Sequence, residues 1–267
     1  MSGQPSKWDD LAPRIVSGAI LAVIGVAAMA AGGLWFTGLV AVASGIMIWE
    51  LGRMMSPADA LAAAGLGIVA GLAVLSVRWL GAWALVPLLV PAALGWRVMP
   101  PDRPSDRPVW AAFAVAVALA GYGLITFRDT YGTVWLFWLV LVVIATDISG
   151  YFAGRALGGP KFWPRISPKK TWSGTVAGWV SAAIVGAVFL LFTDAGRDLV
   201  WISACVAFAS QMGDISESAI KRRSGVKDSS NLIPGHGGLF DRFDGLLGAS
   251  LAMLVVALLV DVPQVRF

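Results

Sequence analysis

Between residues 218 and 244 the chain sets five cations (Lys221, Arg222, Arg223, Lys227, Arg242), three carboxylates (Asp228, Asp241, Asp244) and its only histidine, His236, within 27 positions. Apolar segments flank this stretch on both sides. Charge at a membrane boundary is costly unless something uses it. Carboxylates interleaved with Lys and Arg suit a substrate that carries phosphates and a bound metal ion.

A second group of polar residues precedes it. Ser210, Asp214, Glu217, Ser218 and Lys221 follow i, i+4, i+7, i+8 and i+11, which puts them on one helical face. Asp214 falls inside the apolar boundary, where an uncompensated charge costs at least about 2.5 kcal/mol. A buried pair with Lys221 or Arg222 is one outlet for it. A cation site is favoured, because Asp241 and Asp244 arrive from the following segment. Mg²⁺ takes few carboxylates and keeps positions for water and phosphate.

Gly235-His236-Gly237-Gly238 after Pro234 forms a freely bending loop whose backbone N–H groups would make an anion nest. His236 has three roles open to it: donor to a phosphate oxygen, proton shuttle, or cap of the turn. One His and one Cys do not supply the usual zinc ligand set. A third region holds Asp147, Gly150, Tyr151 and Gly154 on one face, small residues there allowing a neighbouring helix to come close. It continues through Arg155 to Ser167-Pro168-Lys169-Lys170-Thr171-Trp172, whose cations and hydroxyls suit phosphate or anionic headgroups. Glu50 is a lesser candidate, with Arg53 as its nearest partner.

The elements that must position these groups are membrane helices. Hydrophobic residues make up 58% of the 267 residues and charged residues 13%, against roughly 25% charged in soluble domains. Nine candidate spans are expected: 14–32, 34–51, 58–77, 80–96, 109–126, 133–152, 175–193, 199–217 and 245–261. The fold class is therefore an all-α, polytopic integral membrane protein, with 1–267 as a single membrane domain. Residues 1–132 supply N-terminal helices and 133–267 a catalytic half. With the N-terminus cytoplasmic, 16 of the 20 Lys and Arg fall inside, leaving Arg78, Arg128, Arg197 and Arg266 outside. That bias accounts for the net charge of +4 without nucleic acid as a partner. Met1 to Pro13 lack the pattern of a cleaved signal, and the 13 Trp suit interfacial belts. Segment 97–108, rich in Pro, reads as a plain cytoplasmic connector. Cys205 reads as a small buried hydrophobe.

The run Ser218-x-x-Lys221-Arg222-x4-Lys227-Asp228-x5-Pro234-Gly-His236-Gly-Gly238-x2-Asp241-Arg242-x-Asp244 resembles the signature of the phosphatidate cytidylyltransferases, or CDP-diacylglycerol synthases. So do Arg14-Ile-Val-Ser-Gly, Asp147-x-x-Gly150-Tyr151-x-x-Gly154-Arg155, Ser167-Pro-Lys-Lys-Thr-Trp172 and Gly213-Asp214-x-x-Glu217-Ser218. The resemblance covers the C-terminal half well and the first spans mainly in hydrophobicity. Ser173 departs from it, since the family often has Glu there.

The resemblance implies that CTP and phosphatidate give CDP-diacylglycerol and pyrophosphate, with Mg²⁺ required and a second cation such as K⁺. The metal set it implies is Asp214 and Asp241, with Asp244 in support. Lys221, Arg222, Lys227 and Arg242 would stabilise phosphates, joined at the catalytic centre by Asp228, His236 and Asp147. Lys169 and Lys170, with Ser167, Thr171, Ser218, Gly237 and Gly238, would line the substrates. A homodimer in the cell's inner membrane, active site to the cytoplasm and membrane lipids around it, completes the expectation.

Two other activities compete. A transporter also carries ionisable residues inside its spans, but it needs polar groups through the full depth, and here they gather at one face. A CTP-dependent lipid kinase would release CDP in place of pyrophosphate. A purely structural protein would leave the carboxylate stripe unexplained.

Overall fold

In lipid every backbone polar group must be satisfied within the segment, which leaves helices as the solution for apolar runs of this length. The computed structural model describes residues 11–98 and 104–262. Expectations resting on residues 1–10, on Arg103 and on Arg266 lie outside those residues. The helices are α1 (Leu11–Ala31), α2 (Gly33–Met55), α3 (Ala60–Leu80), α4 (Leu85–Leu88), α5 (Val90–Val98), α6 (Arg107–Tyr131), α7 (Thr133–Leu157), α8 (Trp172–Phe189), α9 (Leu199–Arg223) and α10 (Phe240–Leu259). Two short strands, β1 (Lys161–Trp163) and β2 (Ser167–Thr171), lie between α7 and α8.

Among the described residues, eight helices are long and apolar enough to span a bilayer. The expected span 80–96 is instead a broken passage: a 3-10 turn over Gly81–Ala84, then α4 and α5. Pro87 and Pro91 remove two backbone N–H donors there, so a continuous helix cannot form.

Contacts divide the bundle into two ends. At one end Arg78 pairs with Asp129 at 3.3 Å, and Arg128 donates to the carbonyls of Met29 at 3.3 Å and Ala30 at 3.4 Å, capping the C-terminus of α1. At the other end Arg223, in the last turn of α9, binds Asp106 and the Ser105 hydroxyl just before α6. Leu80 is thus at one end and Asp106 at the other. Residues 81–98 carry the chain back between them, about 27 Å if wholly helical.

Two expectations are corrected here. The connector before α6 is not plain, because Ser105 and Asp106 hold the end of α9. The loop 153–174 contains an antiparallel hairpin, with Lys161 opposite Thr171 and Trp163 opposite Ser167. Phe162 packs edge-on against Trp172 at 4.7 Å, which closes the hairpin onto α8. Thr171 then starts α8 as its N-cap, accepting from Gly174 N.

Two buried apolar clusters hold the bundle. One runs from Met29 through Trp138 and Val206 to Met253, the other from Ile48 through Trp110 and Ile220 to Phe240. Each draws on helices from both halves of the chain.

Candidate active site

The site begins where α9 crosses α10. Gly213 lies directly against the backbone of Asp244 and Gly248, and Gly248 against the carbonyl of Ala209. A side chain on either glycine would collide with main chain, so glycine is what lets the two helices touch. This approach brings Asp214 and Glu217 of α9 beside Asp244 of α10, with one carboxylate oxygen from each all within 4.8 Å. Glu217 is 1% exposed. Its Oε2 lies 2.5 Å from Lys221 Nζ, poorly aligned for a hydrogen bond, and its Oε1 has no hydrogen-bond partner among the described residues. Three carboxylates at this spacing repel one another, and a buried carboxylate oxygen without a donor costs more still.

Lys221 and Asp241 form a second layer. Lys221 Nζ is 2.6 Å from Asp241 Oδ1. Asp241 Oδ2 accepts three bonds of 2.8 Å, from Ser229 N, Ser229 Oγ and Gly238 N. Asp241 thus lies outside the group formed by Asp214, Glu217 and Asp244, with both its oxygens engaged. Its side chain pins the 229–238 loop to the start of α10. Lys221 is equally engaged, bridging Glu217 and Asp241.

Two of the four N–H groups of the expected anion nest are already engaged. His236 N donates to Ile233 O at 2.9 Å and Gly238 N donates to Asp241, so these N–H groups are spent inside the protein. Gly237 takes φ +82°, and a side chain there would also press on Asp241 Oδ2. His236 Nδ1 is 2.7 Å from the Ser17 hydroxyl of α1. Burial first, then the charges of Arg242 and Arg14, holds the His236 pKa below its ordinary value. Arg242 donates from Nε to His236 O at 3.1 Å.

The Glu50 carboxylate, wholly buried, reaches this loop from α2. Its Oε1 accepts from Ser230 Oγ at 2.5 Å and Leu239 N at 2.9 Å, and its Oε2 from Phe240 N at 2.6 Å. Arg53, the partner suggested by sequence, turns instead to Pro57 O at 2.8 Å.

Beside the acidic group a cavity of about 420 Å³ opens between α7, α8, α9 and β2. Asp147, Arg155, Lys169, Lys170, Thr171, Gln211 and Asp214 are among its lining residues. Lys170 Nζ sits 2.5 Å from Asp214 Oδ2 and so links the cavity to the carboxylates. Ser218 donates to Asp214 Oδ1 at 3.3 Å. The shared face of Gly150 and Gly154 does what its small residues suggest, packing α7 against Gly174 of α8. Ser173 donates to Gly158 O, at the base of the hairpin. Ser167 lies in β2, half-buried, opposite Trp163. Arg222, Lys227 and Asp228 are exposed at the mouth of the loop.

Residues 12–260 match the cytidylyltransferase family. The chain belongs to that family.

Relatives named phosphatidate cytidylyltransferase include one from Brucella abortus biovar 1 (strain 9-941), 38% identical over 59% of this chain and 59% of that protein. Another, from Bacillus subtilis (strain 168), is 42% identical over 45% of each chain. A third, from Mycobacterium bovis (strain ATCC BAA-935 / AF2122/97), is 31% identical over 92% of this chain and 88% of that protein. Matches to the first two span about half the length of those relatives.

For a cytidylyltransferase a divalent cation is the group the site must be tested against. Oxygen-only donors, three of them together and one without a partner, fit Mg²⁺. Glu217 was legible as a member of the helical stripe, though not as the buried member of this group. Gln211 was missed: its Oε1 accepts from Trp179 Nε1 at 3.0 Å and its amide donates to Thr175 O at 3.2 Å. Its offset of one position from Ser210 was the available signal.

Proposed function

We propose that this chain transfers the cytidylyl group of CTP to phosphatidate, giving CDP-diacylglycerol and pyrophosphate. The observation that carries the reading is the acidic group of Asp214, Glu217 and Asp244, open on one side to a cavity lined by Lys169, Lys170 and Arg155. The names borne by the relatives support the substrates.

Asp214, Glu217 and Asp244 would hold Mg²⁺. When bound there it neutralises charge on phosphoryl oxygens. An oxygen of the lipid phosphate attacks the α-phosphorus of CTP; the bond from that phosphorus to the oxygen bridging to the β-phosphate breaks, and pyrophosphate leaves with the bonding pair. No protein nucleophile is required. Lys170, held by Asp214, and Lys169 present ammonium groups to the phosphates, while exposed Arg222, Lys227 and Arg242 screen pyrophosphate as it departs. Asp241 and Lys221 act by fixing the loop and Glu217 rather than by binding the cation.

The site-bearing end of the bundle faces the cytoplasm on this reading, since most Lys and Arg gather there and nucleotide is available there. Residues 81–98 then complete nine crossings of the cell's inner membrane. K⁺ as a second cation and a homodimer packed through small-residue stretches such as 27–33 belong to the same proposal.

The deciding experiment incubates the purified protein with Mg²⁺, labelled CTP and phosphatidate, and separates the products. CDP-diacylglycerol with an equal amount of pyrophosphate is expected. CDP with a newly phosphorylated lipid would overturn the reading in favour of a lipid kinase.

A further inference from the structure

We propose that Glu50 is a positioning residue for the transfer: from α2 it fixes the start of α10, and through α10 it fixes Asp244 within the acidic group. The inference rests on the reading of Asp214, Glu217 and Asp244 as the cation site.

Glu50 is fully buried, and none of the ion pairs among the described residues includes it. A carboxylate in that position survives only with strong neutral donors around it. Its donors are Ser230 Oγ and two consecutive backbone N–H groups, Leu239 and Phe240, which open α10. The positive end of the helix dipole is directed at the same carboxylate. Helix N-terminal caps are normally local in sequence; this one comes from another helix, 189 positions away from Leu239.

Together with Asp241, Glu50 occupies three successive N–H groups, those of Gly238, Leu239 and Phe240. No free donor remains at those three positions for a substrate phosphate. The two carboxylates therefore orient the helix instead of leaving it to bind an anion. Phe240, 1% exposed, adds a second fix by packing edge-on against Phe113 of α6 at 6.4 Å. Asp244 follows Phe240 by four residues, about one turn, so any tilt or slip at the helix start moves it.

Gly238 provides an independent sign that the arrangement is tight. A side chain there would collide with Glu50 Oε1 and with Ser229 Oγ. Gln at position 50 could accept through only one of its two terminal atoms and would turn an NH₂ toward a donor. Glu50→Gln thus preserves volume and removes orientation.

The test measures product formation by purified Glu50→Gln at saturating CTP and phosphatidate while Mg²⁺ is varied, with thermal unfolding followed alongside. We expect kcat to fall at least about tenfold and the half-saturating Mg²⁺ concentration to rise about as much, with KM for phosphatidate little changed. Gly238→Ala should give the same pattern, and the double variant should be no worse than the more impaired single one. Wild-type kcat and Mg²⁺ response in Glu50→Gln, even with a lowered Tm, would overturn the proposal. If that variant does not fold, Ser230→Ala removes one donor and leaves both backbone bonds. A rise in its half-saturating Mg²⁺ supports the role, and a wild-type value overturns it. Wild-type protein indifferent to divalent cations would overturn the cation-site reading itself; a Mg²⁺-dependent wild type with an unchanged Glu50→Gln overturns only the role of Glu50.

Discussion

Replacing Gly213 by alanine adds one methyl group where α9 crosses α10. The new Cβ would lie 3.0 Å from Gly248 N and closer still to Asp244 O, whereas ordinary contact begins at 3.4 Å. Neither neighbour is a flexible side-chain end; both are backbone within helices. The helices must therefore part by a few tenths of an ångström at Gly248 and by on the order of 1 Å at Asp244, and a displacement of that size at reacting groups can cost roughly 100-fold. The carboxylate of Asp244 moves with its backbone, away from Asp214 and Glu217. We expect kcat for CDP-diacylglycerol formation to fall by about 100-fold and excess Mg²⁺ to recover only part of it. Gly38→Ala is the matched control: it lies in α2 with nothing within 4 Å of the added Cβ, and alanine is favoured over glycine in a helix by about 1 kcal/mol. Product formation should be measured for both variants per mole of folded protein in the same detergent. A Gly213→Ala enzyme with the rate of Gly38→Ala would refute the claim that close helix contact sets the carboxylate geometry.

Two further outcomes follow from the site. Glu217→Gln keeps the shape of the side chain and removes its charge, so the half-saturating Mg²⁺ concentration should rise by about 100-fold in a titration of initial rates, and an unchanged value would exclude Glu217 from the cation site. His236 has a depressed pKa in the folded protein, so as pH falls through about 6.5 the unfolded chain binds more protons than the folded one. Stability is therefore complete above the unfolded value and lost as pH falls; Tm should drop less steeply below that value in His236→Gln, and parallel profiles for variant and wild type would contradict this.

Periodicity in sequence revealed the carboxylate stripe of α9 because residues one turn apart share a face whatever surrounds them. It also revealed the small-residue face of α7. Segment 81–98 was legible as apolar but not as broken, since hydropathy is blind to the missing donors of Pro87 and Pro91. The hairpin at 161–171 escaped notice because its strands are three and five residues long, with Pro164 just after the first and Pro168 within the second. Asp241 and Asp244 look alike in sequence, three positions apart at a helix start. Only packing separates them: the Ser229 and Gly238 donors surround one, and Gly213 presses against the backbone of the other. Glu50 was the hardest to read, because its partners lie some 180 positions further along the chain.

That distance has a consequence for biogenesis. A ribosome delivers Glu50 within α2, while Ser230 and Leu239 emerge only 180 and 189 positions later. Until then the carboxylate must wait in or near the bilayer without its donors. Docking of α10 supplies those donors and adds Asp244 to the acidic group in one event, so the growing polypeptide holds no finished acidic group before that helix is in place.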